Sequence, residues 1–274
     1  MGFNQQQFKI ALEEVGERLS VGGNIPGIGQ PQEMPLHLFE TLPSTNQTLW
    51  DLLNQGASSG TVVIAAQQTA GRGQWGRQWE STLGGLYLSV ALTPQLQASY
   101  SAQLTMSSAW GIATALRSYD IPVALKWPND LLLLGRKLGG ILTETRVHHG
   151  QITKAVVGVG INWSNRVPEW GITLQSFYQE HLSARVTSLE VLAAIVIQGL
   201  RFGYQSWLEQ GIESLLPSYL ELLQIQGRQV IVDGNVGIIT GVTPTGELRL
   251  CLNSATAPTE ICLKPGTISL GYRW

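Results

Sequence analysis

A glycine-rich segment that carries two arginines is the part of this chain best suited to holding an anion. The segment 71–77 has the sequence GRGQWGR and follows the apolar run 61–66. Glycine lets a backbone turn sharply and approach a ligand closely, and the arginine guanidinium matches carboxylate and phosphate oxygens. The pattern therefore predicts an anion cradle with Arg72 and Arg77 as its cations, and a plain surface loop is the alternative.

Sequence context excludes two familiar glycine patterns. Gly71, Gly73 and Gly76 match the dinucleotide-binding fingerprint, but the residues after them are polar and glycine-rich, and no acidic residue stands about 20 residues on. The sequence VALK at 123–126 resembles part of the protein-kinase set, yet the chain contains neither HRD nor DFG. Neither a dinucleotide-binding fold nor a kinase is therefore predicted.

A second set of charged side chains lies in the segment 126–130, which has the sequence KWPND. Lys126 ends an apolar strand, and Asp130 follows a Pro-Asn turn signal. Lysine supplies a point charge for phosphate, and aspartate is a ligand that magnesium accepts directly or through water. The pair predicts binding of a magnesium-bound nucleotide phosphate, and a polar turn without a ligand explains the segment equally well.

Glycines also stand inside two apolar strands. Lys137 precedes the glycine pair 139–140, and the sequence GVGIN at 158–162 ends a later strand. Glycine within a strand indicates close approach by a ligand or another backbone, and Gly158 and Gly160 share one face. They are predicted to leave room for a flat group, with strand packing as the alternative. Together the four segments have the parts of an adenylating site without a candidate nucleophile.

Composition limits the other classes. The net charge is −2, with 17 basic and 19 acidic residues, so no basic excess is present to neutralise many nucleic-acid phosphates. No apolar run reaches the 18 residues that a membrane span needs, and the N-terminus lacks a signal core. Cys251 and Cys262 lie in apolar runs and are expected to be small buried side chains in a reducing compartment. A cytoplasmic protein is expected.

Hydrophobic spacing predicts helices and strands in mixed order, followed by a β-rich tail. The predicted helices are 5–19, one capped by Ser44 that ends near Gly56, 104–119, 189–209 and 212–223. The predicted strands before Gly227 are 36–40, 61–66, 86–92, 124–127, 131–134 and a hairpin of 138–147 with 152–159. The later strands are 229–232, 236–239, 247–252, 260–263 and 267–270, which predict a small all-β barrel. The Gly- and Pro-rich stretch 21–35 is predicted to be a linker.

Five segments together resemble, in order and spacing, the motifs of the biotin protein ligases. They are Ser44-Thr45-Asn46, Gln68 with Gly71-Arg72-Gly73, the KWPND segment, Lys137 with Gly139-Gly140-Ile141-Leu142, and the GVGIN segment. The resemblance runs from about Leu36 to the C-terminus. It implies an α+β fold: a mixed β-sheet catalytic domain flanked by helices, of the class II synthetase and biotin ligase type, plus a small C-terminal SH3-like β-barrel. The implied parts are an N-terminal helix and linker at 1–35, the catalytic domain at 36–226 and the barrel at 227–274.

The resemblance implies an ATP-dependent ligase with two half-reactions. Biotin and Mg·ATP give biotinyl-5′-adenylate and pyrophosphate, and a lysine amine of a biotin carboxyl carrier protein then displaces AMP. The carrier of acetyl-CoA carboxylase is the family default. ATP and Mg²⁺ are implied together with biotin as a substrate, with no tightly bound prosthetic group. A homodimer formed through edge strands of the main sheet is also compatible with the family.

The resemblance also implies roles for residues at matching positions. The implied catalytic residues are Lys137, Arg72, Lys126 and Asp130, of which Asp130 is also the implied magnesium ligand. The implied biotin-binding residues are Ser44, Thr45, Asn46, Gln68, Gly71, Arg72, Gly73, Gln74, Lys137, Gly139 and Gly140. The implied nucleotide-binding residues are Arg72, Arg77, Trp79, Lys126, Asn129 and Asn162. The chain departs from the family at Gln74, where members often carry a basic residue, so its loop has one cation fewer.

Three alternatives to a simple biotin ligase remain. Some family members are also DNA-binding repressors, but the 43 residues before Ser44 are too few for a helix-turn-helix domain and are not basic, so no DNA binding is expected. A lipoate or octanoate ligase or transferase shares the catalytic fold, although the transferases use a cysteine and the catalytic region here has none. A non-catalytic biotin-binding module would not need Lys126, Asp130 and Lys137.

Overall fold

The computed structural model describes residues 2–21, 23–181, 185–252, 258–268 and 270–271. Most of the strands form one mixed sheet. Its strands are β1 (Leu36–Leu42), β2 (Val62–Gln68), β3 (Leu86–Leu92), β4 (Leu96–Gln97), β5 (Val123–Lys126), β6 (Asp130–Leu133), β7 (Arg136–His148) and β8 (Gln151–Ile161). The order across the sheet is β1-β2-β3-β8-β7-β6-β5, with β4 also beside β8. Among the described strands of this sheet, β1 and β2 pair in parallel and the other pairs are antiparallel.

Helices cover both faces of the sheet. They are α1 (Gln5–Arg18), α2 (Thr45–Asn54), α3 (Ser101–Arg117), α4 (Leu174–Glu180) and α5 (Leu189–Glu221). Leu49, Trp50 and Leu53 of α2 pack on one face, and the apolar sides of α1, α3 and α5 pack on the other. Every residue of β3 is buried, as expected for a central strand covered on both sides. The predicted α+β fold with a mixed sheet flanked by helices is confirmed.

The two helices predicted at the C-terminal end of this part meet at Gly211. That residue has φ +76° and ψ 167°, so the chain kinks there before helical geometry resumes. Only glycine adopts such a backbone readily. Pro217 lies inside the second helical half without ending it. The break falls in the gap predicted between 209 and 212.

The segment 21–35 has little regular structure, as predicted, but it is not a free linker. Ile25 and Ile28 are buried in the main core. The guanidinium of Arg201, on α5 and fully buried, donates to the carbonyl of Gly29 at 2.8 Å and of Gly23 at 3.0 Å. The two isoleucines among the glycines were the signal for this packing.

The C-terminal part forms a separate four-stranded antiparallel sheet, as expected for a small barrel domain. Its strands are β9 (Gln229–Val232), β10 (Asn235–Val242), β11 (Leu248–Leu252) and β12 (Thr259–Leu263), in the order β12-β11-β10-β9. The fifth predicted strand, 267–270, is not a strand at its described positions, and position 269 lies outside the described residues. Cys251 is half-buried and Cys262 is exposed on the edge strand β12, so the prediction that both are buried is wrong. None of the described helices is long and apolar enough to cross a membrane.

Candidate active site

A cavity of about 550 Å³ opens where α2 begins and where β2, β6, β7 and β8 come together. Its walls include nearly all the residues singled out from the sequence. Those residues are Ser44, Thr45, Asn46, Gln68, Arg72, Gly73, Gln74, Arg77, Trp79, Lys126, Asn129, Asp130, Lys137, Gly140 and Asn162. Segments that are distant in sequence therefore form one site.

Gly71 and Gly139, which the resemblance assigns to biotin, are not among the residues that line this cavity, and their contact with biotin stays a prediction. A side-chain carbon on Gly71 would overlap the carbonyl oxygen of Trp79. One on Gly139 would come 2.5 Å from the carbonyl oxygen of Gly160 on the neighbouring strand. Another segment of the backbone lies against each of these glycines, so a residue with a side chain would not fit there. Close approach by backbone, and not only by a ligand, explains a glycine in a strand or tight loop.

One end of the cavity is a buried network of uncharged polar side chains. The Oε1 of Gln68 accepts from the backbone N–H of Thr45 at 2.8 Å, and its Nε2 donates to Ser81 at 2.7 Å. The Oγ of Ser89 lies 2.6 Å from the Oδ1 of Asn46 and 2.8 Å from the Oγ1 of Thr45. Ser44 caps α2 and orients this turn. Fixed donors and acceptors of this kind suit a neutral polar ligand group.

Two side chains around Asn46 were not singled out from the sequence: Ser89, which belongs to the uncharged network, and Glu144, a half-buried carboxylate that contacts it. Apart from Tyr87, Ser89 is the only polar residue in the otherwise apolar sequence 86–92, and it is buried. A small polar residue in a buried strand was the signal that could have identified it. Glu144 forms an ion pair with Arg72 and accepts from the Nδ2 of Asn46 at 2.8 Å. Glu144 thereby links the glycine-rich loop 71–77 to Asn46 in the cavity wall. These residues are far apart in the sequence, so no local pattern predicts the link.

The space beside the strand glycines is filled by the protein's own side chains. A side-chain carbon on Gly158 would overlap the Oδ1 of Asn46 and come 2.9 Å from its Cγ. One on Gly160 would come 2.5 Å from the Nε1 of Trp79. The indole of Trp79 thus lies against Gly160, and its buried Nε1 has no hydrogen-bond partner among the described residues. Both glycines also line the cavity, and their contact with a flat ligand stays a prediction.

At the opposite end of the cavity, two lysines form ion pairs with the carboxylate of Asp130. The Nζ of Lys137 lies 2.6 Å from Oδ1 of Asp130, and the Nζ of Lys126 lies 3.7 Å from its Oδ2. Lys137 also lies 5.1 Å above the ring of Trp79. Burial lowers the pKa of Lys126 to about 8, and the neighbouring Lys137 acts in the same direction, while Asp130 opposes both. Two cations held by one acid leave a net positive site.

The side chains of Asn129 and Asn162 donate hydrogen bonds to the backbone of β7. The Nδ2 of Asn129 donates to the carbonyl of Ile141 at 2.6 Å, and the Nδ2 of Asn162 reaches the carbonyl of Lys137 at 3.3 Å. The Oδ1 of Asn162 in turn accepts from Asn165 at 3.0 Å. Both asparagines therefore hold the strand that carries Lys137, which is a positioning role within the cavity wall.

Within the described residues there is no group of three His, Cys, Asp or Glu side chains that would hold a metal ion. Both oxygens of Asp130 are within reach of a lysine ammonium. Magnesium in proteins commonly takes one or two carboxylates and completes its shell with substrate phosphates and water. The donor set here does not fit a resident metal centre and leaves Asp130 as a counter-ion.

Residues 38–162 match the model of the Biotin/lipoate A/B protein ligase family. Over 133 residues the chain is 38% identical to the bifunctional ligase/repressor BirA of Bacillus subtilis, in an alignment that spans 47% of this chain and 41% of that protein. The chain thus spans less than half of that relative's length. Over 232 residues it is 32% identical to the biotin–[acetyl-CoA-carboxylase] ligase of Mycobacterium tuberculosis, in an alignment that covers 78% of this chain and 83% of that protein.

Solved structures show the same similarity. The chain superposes on the biotin protein ligase from Aquifex aeolicus, in complex with biotin and ATP, with a TM-score of 0.67 and 26% sequence identity. The superposition covers 83% of this chain and 95% of that chain. The structural similarity therefore extends well beyond residues 38–162.

Proposed function

Since the chain belongs to the biotin/lipoate A/B protein ligase family, we propose that it is an ATP-dependent biotin protein ligase. It forms biotinyl-5′-adenylate from biotin and Mg·ATP and transfers the biotinyl group to a lysine of the biotin carboxyl carrier protein of acetyl-CoA carboxylase. The names of its relatives support the acid and the acceptor, because the mycobacterial relative is a biotin–[acetyl-CoA-carboxylase] ligase. The solved relative from Aquifex binds biotin and ATP.

The observation that carries the proposal is the cation cluster of Lys126 and Lys137 on Asp130, in the same cavity as Arg72. In the first half-reaction a biotin carboxylate oxygen attacks the α-phosphorus of ATP, a P–O bond forms, and the bond to pyrophosphate breaks. Both reactants are anions, so their repulsion must be screened before they meet. Fixed cations in a water-poor cavity do this without reorganising during the reaction.

Each cation has its own part in that step. Lys137 binds the biotin carboxylate and remains on the carbonyl oxygen of the adenylate. Lys126 and Arg77 balance the phosphate charge, and Arg72 of the glycine-rich loop covers the acyl phosphate. The uncharged network of Thr45, Asn46 and Gln68 binds the ureido end of biotin, whose carbonyl and N–H groups match its donors and acceptors.

The second half-reaction needs no nucleophile from this chain. The neutral amine of the acceptor lysine attacks the acyl carbon, an amide bond forms, and AMP leaves with the electron pair of the broken C–O bond. The proton lost by the amine passes to AMP or water. Lys137 stabilises the oxyanion that develops on the carbonyl oxygen, and the site contributes mainly orientation and charge.

Magnesium enters with the nucleotide in this proposal. Asp130 is engaged by two lysines and holds them in place, while the phosphates of ATP supply the ligands of the ion. We therefore expect equilibrium dialysis of the free protein against Mg²⁺ to show no stoichiometric binding. In the presence of ATP and biotin, we expect dialysis to show stoichiometric binding of Mg²⁺. Stoichiometric binding of Mg²⁺ to the free protein would contradict this assignment.

Acid specificity tests the proposal against the lipoate alternative. We expect biotin, and not lipoate or octanoate, to drive exchange of labelled pyrophosphate into ATP, with biotinyl-adenylate visible by mass spectrometry. Exchange driven by lipoate alone would place the activity with the other branch of the family. Binding of biotin without any exchange would reduce the chain to a binding module.

Three further properties belong to the same proposal. The enzyme binds no operator-like DNA at low salt, it acts in the cytoplasm, and it forms a homodimer through the edge strand β1, where Phe39 is exposed. The two cysteines, free of any disulfide among the described residues, suit a reducing compartment. Gel-shift assays, cell fractionation and sedimentation equilibrium test these points, and Phe39→Lys is expected to abolish the dimer.

A further inference from the structure

We propose that Trp75 is a positioning residue that fastens the glycine-rich loop to the C-terminal sheet by packing on Gly266. The contact itself is a feature of the structure alone. Its consequence for the reaction, slower escape of the acyl-adenylate, rests on the ligase function proposed above. The C-terminal sheet thereby becomes part of the machinery that keeps the cavity closed.

The geometry of the contact leaves no space for a side chain on Gly266. A carbon added there would come 2.6 Å from the Nε1 and 2.8 Å from the Cε2 of Trp75. The indole therefore lies directly on the backbone of the turn that comes after β12. The rest of the side chain is open to solvent, and it is 52% exposed.

The backbone of Trp75 is held in a conformation that a tryptophan seldom adopts. Its φ is +54° and its ψ is +39°, in the left-handed region. The loop around it is tightly bonded, since the N–H of Gly73 donates to the carbonyl of Arg77 at 2.7 Å. The guanidinium of Arg77 lies 5.8 Å from the ring centre of Trp75. This conformation costs free energy, and the packing of the indole on Gly266 offsets part of that cost.

The C-terminal sheet, which carries the turn that holds Gly266, is fixed to the catalytic part by its β10–β11 turn. The Nε1 of Trp127 donates to the carbonyl of Gly246 at 2.9 Å, and the Nε2 of Gln103 donates to the carbonyl of Pro244 at 3.1 Å. Trp127 is buried and comes directly after Lys126 in the sequence. The C-terminal sheet is thus anchored beside the cation cluster, and Ile268 also lines the cavity.

The position of the loop determines the consequence for the reaction. Arg72 and Gln74 line the cavity, so a loop that leaves Gly266 also uncovers the acyl phosphate. A mixed anhydride is hydrolysed when water enters, and a closed loop both excludes water and slows escape of the intermediate. Trp75 itself lies in the cavity wall beside these two residues, and the role proposed for it is exerted through the position of the loop.

A first experiment measures the contact without any ligand. Hydrogen–deuterium exchange of the peptide that covers the loop is compared in wild type, Trp75→Ala, Trp75→Phe and Gly266→Ala. We expect exchange at least about threefold faster in Trp75→Ala and Gly266→Ala, with Trp75→Phe in between. Gly234→Ala is the matched control, since Gly234 lies in the β9–β10 turn with φ +80°, close to the φ +94° of Gly266, but has open space around it. Wild-type exchange of the loop in Gly266→Ala would overturn the proposal.

A second experiment measures release of preformed biotinyl-adenylate after a chase with unlabelled biotin. We expect release about tenfold faster in Trp75→Ala and in Gly266→Ala, which equals about 1.4 kcal/mol, with Gly234→Ala like wild type. The double variant Trp75→Ala/Gly266→Ala should release no faster than Trp75→Ala alone, because both changes break one contact. Additive effects, or wild-type release by Trp75→Ala, would overturn the positioning role. Failure of the wild type to form an adenylate would instead refute the ligase function and leave the exchange result standing.

Discussion

The Nζ of Lys137 lies 2.6 Å from the Oδ1 of Asp130, across the pair of strands β6 and β7. The register places Asp130 opposite Gly140, so no side chain from that position separates the two charges. The carboxylate of Asp130, at the start of β6, thus holds the ammonium of Lys137, near the start of β7. This pair defines the reacting end of the cavity, because Lys126 joins the same carboxylate from the other side.

Asp130→Asn is expected to lower kcat/KM for biotin in pyrophosphate exchange by about tenfold or more. The amide keeps the shape but no longer balances Lys126 and Lys137, whose mutual repulsion then disturbs the position of both. The matched control is Asp120→Asn, because Asp120 pairs with Arg185 at the exposed surface. Activity of Asp130→Asn within about twofold of wild type would show that the carboxylate does not organise the cluster.

The pH dependence of the first half-reaction reports the charge of Lys126. Its pKa is lowered to about 8, chiefly by burial, so its ammonium is lost as the pH rises through 8. We therefore expect kcat/KM for ATP in pyrophosphate exchange to fall above about pH 8, approaching about tenfold per pH unit. Lys126→Arg keeps its charge throughout this range and should shift the fall to higher pH. A falling limb at the same pH in both proteins would assign it to another group.

Gly158→Ala is expected to raise KM for biotin by about tenfold or more. The added methyl overlaps Asn46, which must leave its partners Ser89 and Glu144. The double variant Asn46→Ala/Gly158→Ala should be no worse than Asn46→Ala alone, since the overlap is then gone. Gly150→Ala, at the open tip of the same hairpin, is the control. A KM unchanged by Gly158→Ala would contradict the packing of Asn46 on this strand.

Arg201→Ala is expected to lower the free energy of unfolding by about 3 kcal/mol without changing KM for biotin. The fully buried guanidinium holds the carbonyls of Gly23 and Gly29, and burial lowers its pKa to about 10. Urea denaturation measures the loss. Arg185→Ala removes only a surface ion pair and should change stability by less than about 1 kcal/mol. A loss below about 1 kcal/mol for Arg201→Ala would show that the segment 21–35 does not depend on this tether.

Local patterns in the sequence predicted most elements and most of the cavity wall. Strand 86–92 was predicted with its observed bounds because a continuous apolar run between turn signals has few alternatives. Four short strands after Gly227 were likewise found. The cations of the site were predicted because arginine and lysine among glycines have a direct chemical meaning.

The features that were missed depend on contacts between distant residues. Glu144 meets Arg72 and Asn46 only because three separate segments converge, and no spacing within one segment encodes that. Gly158 and Gly160 were predicted to leave room for a flat group, with strand packing as the alternative, and the structure places Asn46 and Trp79 against them. A glycine reveals that something lies close to the backbone, but the partner is known only once the chain is folded.

Transfer of labelled biotin to a purified carrier domain with Mg·ATP, compared between wild type and Lys137→Ala, tests the central claim most directly. Lys9→Ala, a change at the exposed face of α1, serves as the control, and circular dichroism checks that each variant folds. We predict that the wild type labels the carrier lysine and that Lys137→Ala labels it at least about a hundredfold more slowly. Labelling by Lys137→Ala at the wild-type rate, or transfer of lipoate but not biotin by the wild type, would contradict the account.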